Sequence, residues 1–155
     1  MKILIQIVAL FIAFQLNAQR FSADGVYIPK NLSESFQELD KFLPLKFKDS
    51  VKILAEKDFT SSQHFGLGMW MRNNWELWNK SRLYKHFKKK GIFHPDDMSG
   101  IILKSYHRYL NNVDVRIDEQ IQHYKNYWIE AKKFAGPTIK DFPDPDMRYN
   151  GGIVY

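Results

Sequence analysis

The residues able to do chemistry gather in one stretch. Between positions 64 and 99 lie His64, Arg72, Asn73, Asn74, Arg82, His94, Asp96, Asp97 and Ser99, set among Trp70, Trp75 and Trp78. An arginine inside an apolar helix is costly unless a carboxylate pairs with it. Arg72 occupies the most apolar segment of the mature chain, and Asp96 and Asp97 sit on a connector expected to cross nearby. Arg72 or Arg82 should therefore pair with one of these aspartates and pin the loop to the helix. Asn73 and Asn74 should then satisfy backbone groups of the connector. Two readings follow. The polar residues form either an architectural network or the lining of a cleft. Tryptophan faces for stacking and planar amides for orientation suit a sugar or a peptide. The candidate network or ligand-binding residues are His64, Trp70, Arg72, Asn73, Asn74, Arg82, His94, Asp96, Asp97 and Ser99.

Other chemistries are weaker. His64, His94, Asp96, Asp97 and His107 offer metal-ligand atoms, but no HExxH or comparable spacing organises them. Neither a metal site nor a cofactor is expected. Ser99 falls in the first turn of a helix and lacks the G-x-S-x-G elbow of an activated nucleophile. Glu76, Glu130, Asp58 and Asp114 show no spacing typical of an acid/base pair.

The elements that must position these residues read as helices. Asn31 or Ser33 caps a first helix whose Leu32, Phe36, Leu39 and Leu43 recur at helical spacing, and Pro44 ends it. A second helix is expected over 47–57. A third, over 61–78, is apolar on nearly every side and should lie at the centre. Its Gly66 and Gly68 would let another backbone approach. A fourth, over 81–90, ends at Gly91. Asp96 or Asp97 should cap a fifth helix reaching Leu110, and a sixth spans 118–134. Tyr106, Tyr109, Tyr124, Tyr127 and Trp128 should form the seam between these last two. The expectation is an all-α, orthogonal bundle of about five to six helices, followed by an irregular tail over 136–155 that holds Pro and Gly.

Composition bounds the rest. Aromatic residues reach 15%, enough to give a short chain a core, and there is no cysteine. Disulfides, thiolate chemistry and a lipidated cysteine are thereby excluded. Lys2 followed by an apolar run over 3–14 and a small exit at Ala18 reads as a signal peptide over 1–18. It is too short to span a bilayer. A leader over 19–28 and a helical domain over 29–135 follow, with the mature chain expected in the periplasm or outside the cell. The formal charge of +6 loses only Lys2 on cleavage. Its dense part, Lys85–Lys90, reads as the solvated C-terminal end of a helix rather than a nucleic-acid surface.

The block HFGLGMWMRNNWELW (64–78), then SRL (81–83), HPDDMSGII (94–102) and SYHRYL (105–110) resembles the signature of an uncharacterised bacterial domain family. The resemblance runs from Ile28 to Trp128. That family is one of unknown function, so the resemblance carries no catalytic residue onto this chain. The Asn-Ala-Gln exit of the leader peptide resembles secreted proteins of the Bacteroidota. The leading expectation is an exported binding module of the cell envelope, with a protein, peptide or glycan partner. The alternatives are an envelope-polymer hydrolase using the His94–Asp97 region and a purely structural domain.

Overall fold

The computed structural model describes residues 20–134, together with Gln6. The signal peptide read over 1–18, Gln6 apart, and the tail read over 136–155 lie outside the described residues.

Asn31 starts the first helix by accepting a hydrogen bond from the Glu34 N–H, and α1 runs over Leu32–Phe42. Pro44 then opens α2, Leu45–Ile53. Leu54 and Ala55 are extended, and α3, Glu56–Gln63, follows. The helix expected over 47–57 is thus broken. The break lets Val51 and Phe59 both bury to 1% exposure from differently aimed helices.

The segment expected as one helix over 61–78 is also divided. A π-helical turn, His64–Gly68, leads into the short α4, Met69–Asn74. Glu76 then adopts a left-handed φ of 50°. A π turn inserts a residue into the helical repeat and swings the following face. Leu67, Met71, Trp75 and Leu77 consequently point inward, whereas Phe65, Met69 and Trp78 are exposed. The all-round apolar pattern belongs to several short pieces, each with its own buried side.

Ser81 caps α5, Arg82–Lys89, by accepting from the Tyr84 N–H. The helix buries Leu83, Tyr84 and Phe87, and Lys88 and Lys89 stand at its C-terminal end as expected.

Helix α6, Pro95–Leu110, is the true centre. Met98, Ser99, Ile101, Ile102, Leu103, Ser105 and Tyr106 are all at most 1% exposed. Every other helix within the described residues 20–134 packs against it. Its cap is not an aspartate: His94 Nδ1 accepts from the Asp96 N–H. Pro95 at the first helical position forces the residue before it into extended backbone, which starts the helix early and hands the capping place to His94.

The last helix, α7, covers Ile117–Phe134 and docks on α6 through Ile121, Gln120 and Tyr124. Tyr106 and Tyr109 do not join this seam. Their hydroxyls donate to the two oxygens of Asp40, each at 2.9 Å, and Tyr109 stacks on Phe36 of α1. Of residues 20–28, Val26 and Ile28 pack on the core. Phe21 and Tyr27 form an isolated antiparallel bridge, and Ile28 is 1% exposed. The domain is all-α, with that bridge the extended pairing among the described residues.

Candidate functional site

The guanidinium of Arg72 organises the site. Arg72 is 5% exposed. Its Nε lies 3.0 Å from Asp96 Oδ1, its Nη1 donates to Ser99 Oγ at 2.8 Å, and its Nη2 donates to the His64 carbonyl at 3.2 Å. Ser99 Oγ donates onward to the Asp96 carbonyl at 2.9 Å. The arginine therefore ties α4, the π turn and the first turn of α6 into one unit. Gly68 makes the approach practicable. A Cβ there would stand 3.2 Å from Arg72 Nη1 and 3.1 Å from the Gln63 carbonyl.

At the surface of this unit, Asp96 has a histidine on each side. His64 Nε2 lies 3.9 Å from Oδ1, and His94 Nδ1 lies 3.5 Å from Oδ2. The Asp96 side chain is 36% exposed, so its carboxylate has an open edge. The His94 ring meets the edge of Trp78 at 5.8 Å and tilts against Trp128 at 5.9 Å. Trp78 itself is 45% exposed. Because Nδ1 of His94 accepts from the backbone, the neutral ring carries its proton on Nε2, as a donor.

Asp97 points elsewhere. It is buried and accepts a 2.7 Å hydrogen bond from Trp128 Nε1. Burial pushes its carboxyl above the ordinary value, and the Trp128 bond draws it only partly back. Beside it, burial pushes Tyr124 up to about 12, with Asp97 and Asp96 adding to the shift.

The structure thus brings together His64, Arg72, His94, Asp96 and Ser99, with Asp97 just behind. The expected pairing of Arg72 with an aspartate is present, and Asp96 is the partner. Arg82 does not share the role. It lies 3.7 Å from Glu34, donates from Nε to the Ile28 carbonyl, and covers the Tyr27 ring at 4.6 Å. Neither asparagine reaches the connector. Asn74 donates back to the Trp70 carbonyl at 2.9 Å within its own helix, and Asn73 is exposed. The connector is instead closed by Pro95, with no N–H to satisfy, and by the His94 cap. Trp70 lies apart, stacked on Phe42 with ring centroids 4.5 Å apart. Trp75 is core and Trp78 is surface. Among the described residues, no group of three or more His, Cys, Asp or Glu is arranged to hold a metal ion.

Sequence reasoning missed a second buried guanidinium. Arg108 is 7% exposed, pairs with Glu56 through Nε and Nη2, and donates from Nη1 to the Val115 carbonyl at 2.8 Å. The argument that found Arg72, a cation inside an apolar helix, applied equally to Arg108 in SYHRYL. The tyrosine-rich surroundings masked it as a surface position. Burial opposes ionisation of Glu56, but Arg108 and then Lys104 outweigh it and hold the carboxyl below its ordinary value.

The geometry defines an all-helical domain built around a sealed arginine network with an aromatic and histidine rim. The chain belongs to the family described as "Domain of unknown function (DUF6794)", whose model matches residues 28–110. That span holds both buried arginines and stops at the end of α6. No curated protein and no solved structure matches the chain.

Proposed function

We propose that the protein is an exported, non-enzymatic binding module of the cell envelope, engaging a protein, peptide or glycan in the periplasm or outside the cell. The binding face is the His64–Asp96–His94 rim with Trp78. One observation carries this reading: the block divides into a sealed half and an open half. Arg72 and Ser99 are buried with their polar groups engaged, while Asp96, His64, His94 and Trp78 keep open edges. A rim fixed from behind by a buried network is preorganised, which lowers the cost of binding. The basic and apolar start of the sequence supports export.

The test is capture from an envelope extract on the immobilised protein. A His94→Asn, Trp78→Ala variant keeps a capping acceptor at 94 and removes the two aromatic groups of the rim. The expected outcome is a captured partner that the double variant loses. Recovery of nothing above a scrambled-surface control sinks the proposal.

A second reading, a hydrolase acting on an envelope polymer, draws on the Asp97 carboxyl, which burial shifts upward, the direction that favours proton donation. It predicts release of soluble fragments from purified peptidoglycan or envelope glycan, lost in a folded Asp97→Ala variant. Unchanged release in that variant counts against it.

A further inference from the structure

A second surface lies on the other side of α4. Trp70 and Arg72 are two residues apart, which turns them about 200° from each other around a helix. Arg72 faces the sealed network, and Trp70 faces an open depression of about 420 Å³ lined by Val26, Tyr27, Glu38, Lys41, Phe42 and Trp75 as well. The volume falls in the range of small-ligand sites, about 300–1,000 Å³.

Its lining combines three kinds of group. Phe42 stacks on Trp70 at an interplanar angle of 15° and is still 54% exposed, so an aromatic ring backed by a second one faces solvent. Glu38 and Lys41 sit side by side on the rim, 2.8 Å apart, giving an acceptor and a donor with no net charge. Trp75 belongs to the wall, is 1% exposed, and its indole Nε1 has no acceptor among the described residues. Buried indole N–H groups ordinarily find a partner.

We infer that this depression is a binding site for a neutral saccharide. A hydroxyl group both donates and accepts, so neighbouring hydroxyls match an adjacent carboxylate and ammonium at once. The apolar C–H face of a sugar ring suits the exposed Phe42 ring, which Trp70 backs from behind. An anionic ligand meets Glu38 and a cationic one meets Lys41, so charged ligands gain little from the pair. The inference goes beyond the His94 rim and stands whether or not that rim has a partner.

The experiment is calorimetric titration of the whole protein with chitotetraose, cellotetraose and maltotetraose, beside an anionic oligogalacturonate and a mixed-sequence peptide. Saturable binding of at least one neutral oligosaccharide is expected at up to millimolar concentration. Phe42→Ala, at an exposed position that should leave folding intact, should weaken it about tenfold, and Glu38→Gln should weaken it as well. His94→Asn, on the other face, should leave it unchanged. Absence of saturable binding by all three sugars, preference for the anionic sugar or the peptide, or equal affinity in Phe42→Ala overturns the inference.

Discussion

Arg72 engages all three of its guanidinium nitrogens, toward Asp96, Ser99 and the His64 carbonyl. Removing the guanidinium leaves Ser99 and the carbonyl without their partner and Asp96 without its counter-charge. Arg72→Ala should therefore cost on the order of 3–5 kcal/mol, read as a lowered denaturation midpoint with the slope unchanged. A loss under about 1 kcal/mol, the worth of an exposed pair, would show that the network does not hold the fold. Asp97 makes a prediction of opposite character. Its carboxyl is raised in the fold by burial, so its contribution to stability is present at low pH and is lost as pH rises through the raised value. Asp97→Asn keeps an acceptor for Trp128 and cannot ionise. It should stabilise the protein at neutral pH relative to wild type, with the gain vanishing in acid, as followed by thermal melts across pH. The Arg72 pairing was legible because a buried cation demands an anion. Which aspartate answered was not, because that depends on the angle the π turn gives to α4.

Helices were legible where caps and periodicity agreed. Asn31 caps where its side chain suggests, and Gly91, at φ +85°, closes α5. The breaks were hidden because nothing at Leu54–Ala55 is a helix breaker; tertiary packing of Val51 and Phe59 decides there. The cap of α6 escaped for a similar reason: two aspartates near a helix start look like caps until the proline ahead of them is taken into account. The docking of α7 turns on a missing side chain. A Cβ at Gly100 would stand 2.5 Å from the Tyr124 hydroxyl. Gly100→Ala should improve the intrinsic propensity of α6, by up to about 1 kcal/mol, and still destabilise the protein through the clash, by about 1–3 kcal/mol. Limited proteolysis should show α7 cut earlier than in wild type. A variant that melts higher with α7 equally protected would show that Tyr124 moves aside at no cost.

Taken as a whole molecule, the all-α class followed from the sequence, but the centre did not. The richest aromatic segment drew attention to 61–78, while the quieter run Met98–Tyr106 holds the most deeply buried side chains. Small residues mark that centre: Ser99 and Ser105 are fully buried among Ile101, Ile102 and Leu103. Amide exchange should report the same hierarchy. Amides of Ile101–Tyr106 should exchange only through global opening, and those of α7 beyond Tyr124, where most side chains face solvent, at least about a hundredfold faster.

The place of α6 in the chain has a temporal consequence. Helices α1, α2 and α5 find their main helix contacts on α6, and the packing before it is thinner, chiefly among the neighbouring segments α3, the π turn and α4, with the Phe42–Trp70 stack and the Arg82 contacts beside it. During synthesis, the residues ahead of Pro95 have little to close upon. Collapse waits for the last two-fifths of the polypeptide to emerge, which keeps the nascent chain open until late.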